Sequence, residues 1–69
     1  MKPLRYTDVI KKVKKAGFVF RRSTGSHEIW WSDKTNKTCV VPHHIEVAPG
    51  TLKNIINQMG IDKREFDKL

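Results

Sequence analysis

One cysteine, Cys39, is all the thiol this 69-residue chain carries. A lone thiol cannot close an intramolecular disulfide, which excludes a disulfide-stapled scaffold and points to a reducing, cytoplasmic compartment. Long apolar runs are missing as well. None approaches the roughly 20 residues that span a bilayer, so no membrane partner is expected, and Met1–Tyr6 lack the apolar stretch of a signal peptide. There are no repeats, linkers or low-complexity segments. Three histidines and Cys39 show no spacing of a structural zinc site, so neither a metal nor a cofactor is expected. The length leaves room for one core, and residues 1–69 read as a single domain.

Acidic residues are scarce in one part of the chain only. Residues 1–22 hold eight basic side chains (Lys2, Arg5, Lys11, Lys12, Lys14, Lys15, Arg21 and Arg22) against Asp8 alone. Residues 23–69 hold six of each sign and sum to zero. The whole net charge of +7 is therefore assigned to the first helix and strand, as a patch. A clustered basic face is the electrostatic footprint of phosphate binding.

What is present orders itself simply. Thr7 reads as an N-cap, with Asp8 in the first turn, and Val9, Ile10, Val13 and Ala16 recur at helical spacing until Gly17 stops them. The first helix is predicted over Thr7–Ala16. Phe18–Arg22 reads as a strand in which Phe18 and Phe20 point one way and Val19 and Arg21 the other, so Arg21 and Arg22 alternate in direction. Ser23–Ser26 is turn composition. His27–Ser32 follows as a second strand, with His27, Ile29 and Trp31 on one face and Glu28, Trp30 and Ser32 on the other. After a turn over 33–37, Thr38–Val41 is a third strand ended by Pro42.

His43–Pro49 is a connector whose histidines read as loop residues, and Asp8 and Glu46 read as cap and loop. Leu52, Ile55, Ile56 and Met59 form the stripe of a helix starting at Gly50 or Thr51, with Gly60 at its C′ position. Asp62 and Glu65 have the capping-box spacing for a last helix, Lys63–Lys68, anchored by Phe66. The order predicts an α+β fold: an α-β-β-β-α two-layer sandwich with a three-stranded antiparallel sheet, like the double-stranded-RNA-binding domain.

Within that frame, Gly25-Ser26-His27 is the stretch that carries chemistry. A histidine titrates near neutral pH and can both accept and donate a proton. Guanidinium matches phosphate in charge and geometry, so Arg21 and Arg22 are candidate phosphate ligands. Gly25 lets backbone approach a phosphate closely, Ser26 can donate to it, and Lys11, Lys12, Lys14 and Lys15 would track a nucleic-acid backbone. One of Trp30 and Trp31 is expected in the core, the other available to stack on a base. Cys39 reads as a small buried strand residue.

Four segments in register resemble the HicA toxin family, the ribonuclease half of HicA–HicB toxin–antitoxin pairs. They are Lys15-Ala16-Gly17-Phe18, Gly25-Ser26-His27, Val41-Pro42-His43-His44 and the run from Pro49 through Gly50-Thr51-Leu52 to Met59-Gly60-Ile61. The resemblance implies the fold just derived and an endoribonuclease that cleaves mRNA; with the ribose 2′-hydroxyl as nucleophile such cleavage needs no metal, so a metal-independent reaction is expected. The resemblance also implies a cognate HicB-type antitoxin, the toxin being monomeric when free and hetero-oligomeric when silenced. The family's catalytic histidine lies in Gly-Ser-His and maps to His27, while its Pro-x-His pattern aligns with His44. A non-catalytic RNA-binding module of the same fold is the alternative.

Overall fold

The computed structural model describes residues 2–69. Its elements run β1 (Leu4–Arg5), α1 (Tyr6–Lys15), β2 (Val19–Thr24), β3 (His27–Ser32), β4 (Lys37–Pro42), β5 (Glu46–Val47), α2 (Pro49–Met59) and α3 (Lys63–Lys68). β2, β3 and β4 form an antiparallel meander with β3 in the middle. The helices flank one face of it, giving the α+β sandwich that the residue pattern predicts. Alternation along β3 sorts its side chains between the covered and the open face. Glu28, Trp30 and Ser32 are buried, while His27 is exposed and Ile29 and Trp31 are half-buried on the other side.

One core joins the two layers. Val9, Ile10 and Val13 of α1 pack with Leu52, Ile55, Ile56 and Met59 of α2 against Trp30, Cys39 and Val41, and Phe66 closes the end from α3. Trp30 is therefore the core tryptophan, at 4% exposure. No described helix is long and apolar enough to cross a membrane.

Three local readings are corrected. The strand expected over Phe18–Arg22 runs Val19–Thr24, because Ser23 and Thr24 pair with Glu28 and His27 and leave only Gly25-Ser26 as the turn. The first helix starts at Tyr6, with Arg5 in the N-cap position and no side-chain cap; Thr7 lies inside the helix. The reason lies in the connector, where Glu46–Val47 pairs antiparallel with Leu4–Arg5, and the Tyr6 N–H donates to the Ile45 carbonyl at 3.0 Å. The bridge thus fixes where the helix begins and satisfies the first of its orphan N–H donors with a backbone acceptor. A two-residue bridge has no periodicity of its own, so the connector's strand is invisible in the sequence.

The later helix ends follow their signals. Asp62 accepts from the Glu65 N–H at 2.8 Å, and Gly60 ends α2 in the left-handed region at φ 75°. A Cβ at Gly60 would stand 2.5 Å from Lys37 Cε. Gly60→Ala is expected to lower stability by about 1 kcal/mol, because strain at positive φ adds to displacement of the lysine chain; the urea midpoint reads it.

Candidate nucleic-acid interface and histidine cleft

β2 and β3 are joined by Gly25-Ser26, with Thr24 paired to His27 across the hairpin. Gly25 takes φ 59°, as the first position of a two-residue hairpin turn of this kind demands. His27 then opens β3 on the open face of the sheet, exposed, with Pro42 of β4 as its cross-strand neighbour. A short turn and a central strand thus hold the imidazole at one end of the sheet while leaving its ring in solvent.

The arginines lie on that same open face, against the simple alternation. Phe20 pairs with Trp30 but Arg22 pairs with Ile29, so Arg21 is the extra residue of a β-bulge. Cross-strand partners share a face, which puts Arg22 beside Ile29 on the open side. Arg21 lies with its guanidinium carbon 5.3 Å from the centroid of the Trp31 ring, also on the open side. Both guanidiniums therefore share the surface that carries His27. Phe20 meets Trp30 edge-on at 5.7 Å on the covered side. No sequence signal marked the bulge: neither residue of Arg21-Arg22 is the glycine or proline that would flag one.

The lysines of α1 belong to the other layer. Lys14 Nζ reaches to 5.9 Å from the ring of Trp30, on the helix-facing side. Lys12 is engaged with the chain end, donating to the carbonyls of Phe66 (3.0 Å), Asp67 (3.3 Å) and Leu69 (3.2 Å). Lys11 and Lys15 are exposed on α1. The net charge thus divides between the two layers instead of forming one continuous patch on one face.

Behind the hairpin lies a polar cluster that the residue pattern did not reveal. Glu28 is buried, at 9% exposure. The Tyr6 hydroxyl donates to its carboxylate at 2.6 and 2.7 Å, and Trp30 Nε1–H donates to Oε1 at 3.1 Å. His43 Nδ1 stands 3.4 Å from Oε2, and its ring stacks on Tyr6 with centroids 4.3 Å apart. The His43 N–H also donates to the Ser26 carbonyl at 2.6 Å, tying the loop after β4 to the turn that precedes His27. Burial, then the Glu28 hydrogen bond and its charge, push the Tyr6 phenol up to about 12. The signal that could have exposed the cluster was the register of Glu28 with Trp30 and Ser32, because a carboxylate on a buried face requires donors.

Cys39 is fully buried, and burial pushes its thiol up to about 12. It is expected to stay unmodified by a thiol-specific disulfide reagent near pH 8 and to react stoichiometrically once urea unfolds the chain. Among the described residues, no three His, Cys, Asp or Glu side chains gather as a group able to hold a metal ion.

Comparison with known proteins bears on this surface. No curated protein matches the chain. A family model described as "HicA toxin of bacterial toxin-antitoxin" matches residues 6–61, from the first residue of α1 to just past α2. The match takes in His27, both arginines and the Tyr6–Glu28–His43 cluster, and the chain belongs to the HicA toxin family of bacterial toxin–antitoxin systems.

Proposed function

We propose that this toxin is a metal-independent endoribonuclease that cleaves mRNA, with His27 as a general acid/base. The observation that carries the reading is the exposed imidazole at the end of the open sheet face, sharing that face with the guanidiniums of Arg21 and Arg22. A base removes the proton of the ribose 2′-hydroxyl, an acid protonates the leaving 5′-oxygen, and cations steady the charge on the phosphate. Gly25 and Ser26 edge the site with exposed backbone and a hydroxyl donor. Trp31 lies half-buried under Arg21 and offers the stacking surface, since Trp30 is in the core. Lys11, Lys14 and Lys15 would meet more distant parts of the RNA backbone around the rim; Lys12 contributes less because its ammonium is already bonded.

Family membership implies a cognate antitoxin. A HicB-type protein covering the His27 face would block RNA access and add stability to a small core by binding its native state.

The purified chain should cut single-stranded RNA in excess EDTA as fast as without it. Intact RNA would overturn the reading in favour of a non-catalytic RNA-binding module. Binding is expected to weaken with salt. Replacing Arg21 and Arg22 together by alanine should shrink the slope of log affinity on log salt by about 0.7 for each phosphate no longer neutralised. An unchanged slope would place the RNA elsewhere.

A further inference from the structure

We propose that His44 is the second proton-transfer group of the reaction, acting across one cleft from His27. The inference rests on the endoribonuclease reading. A cleft of about 300 Å³ opens where the end of β3–β4 meets α2, and both His27 and His44 line it, with Glu46, Asn54 and Gln58 on its walls.

The fold brings the two imidazoles to one place by construction. His27 faces Pro42 across the β3–β4 ladder, and His44 follows Pro42 by two residues. The bond from the His43 N–H to the Ser26 carbonyl pins the intervening backbone onto the turn that precedes His27. His43 itself is committed elsewhere, stacked on Tyr6 and against Glu28. Among the described residues His44 has no such engagement: it is exposed and borders the cleft.

The wall opposite is polar. Gln58 Oε1 accepts from the Val40 N–H at 2.9 Å, which fixes its side chain and leaves its NH₂ group to donate. Asn54 lies one helical turn earlier on α2, so two carboxamides line a cleft flanked by two imidazoles. That is a set of groups able to grip a nucleotide by its base and ribose while protons move at its phosphate.

The step balances without a co-reactant. One histidine takes the proton of the 2′-hydroxyl as the O2′–P bond forms. The other gives a proton to the 5′-oxygen as the P–O5′ bond breaks. The products are a 2′,3′-cyclic phosphate and a 5′-hydroxyl, and the two histidines have exchanged protonation states.

A substrate with sulfur in place of the bridging 5′-oxygen tests the assignment, because a thiolate leaves without a general acid. The full-length wild type, His27→Ala and His44→Ala are compared on an oligonucleotide with an ordinary linkage and on its sulfur counterpart. Thermal melting confirms that each variant is folded. On the ordinary linkage His44→Ala is expected to lose about 10²–10⁴-fold in rate, as loss of a proton-transfer group does. On the sulfur linkage, one of the two variants should recover most of its rate and the other should not, which names the acid and the base. Wild-type cleavage with His44→Ala within a few-fold of it, or rescue of neither or both variants, would overturn the role of His44 and leave the ribonuclease reading standing. A wild type that cuts neither substrate would overturn both.

Discussion

His27→Ala is expected to reduce RNA cleavage by about 10²–10⁴-fold, the range that a single proton-transfer group supplies. The melting temperature should stay at the wild-type value, because the imidazole stands in solvent on the open face of the sheet. RNA affinity should change little, since Arg21 and Arg22 remain. This combination separates a catalytic histidine from a structural or merely RNA-binding one. A structural residue would lower the melting temperature along with activity, and a binding residue would raise the RNA concentration needed for half-saturation. His27→Ala cutting at the wild-type rate would refute the role assigned to it.

Glu28→Ala should have the largest effect on stability, although Glu28 is the next residue in the chain. Removing its carboxylate leaves the Tyr6 hydroxyl and the Trp30 indole N–H without their acceptor. The buried Trp30 donor left unpaired costs about 1–3 kcal/mol and the part-buried Tyr6 hydroxyl loses a charge-assisted bond of similar worth, so a loss of about 3 kcal/mol is expected. At roughly 0.05–0.15 kcal/mol per residue, a chain this short has only about 3–10 kcal/mol in total. Such a loss takes about a third or more of that total, so the variant should melt well below the wild type. Glu28→Gln keeps one acceptor oxygen and should lose less. Urea midpoints measure both, and a Glu28→Ala midpoint equal to wild type would remove the cluster from the account of the fold.

The same cluster sets an alkaline limit. The Tyr6 phenol is raised from 10.0 to about 12 in the folded protein. A raised folded value means that its contribution to stability is complete below pH 10 and fades as pH climbs toward 12. Tyr6→Phe should therefore flatten the pH dependence of stability between pH 10 and 12. It should also lower stability at neutral pH, where the phenol still donates to Glu28.

Local chemistry was legible in the sequence wherever a pattern repeats or a side chain punctuates. Alternation sorted β3 into a Glu28/Trp30/Ser32 face and a His27/Ile29/Trp31 face, though only the packed helices decide which is covered; Gly60 ended α2, and Asp62 with Glu65 capped α3. Contacts between distant segments were not legible. The bridge of Leu4–Arg5 with Glu46–Val47 moved the start of α1, and the bulge at Arg21 brought Arg22 to the open face. Gly-Ser-His marked His27 on one segment, but its cleft exists only because α2 and the loop after β4 fold beside it. Tyr6 and Glu28 lie 22 residues apart, and nothing local to either announces the other.

The most direct test of the central claim is the chemical end left on RNA by the purified wild-type chain in excess EDTA. Attack by the ribose hydroxyl, with His27 moving a proton, predicts fragments ending in a 2′,3′-cyclic phosphate and beginning with a 5′-hydroxyl. Fragments beginning with a 5′-phosphate would mean that an activated water is the nucleophile, and would contradict the account.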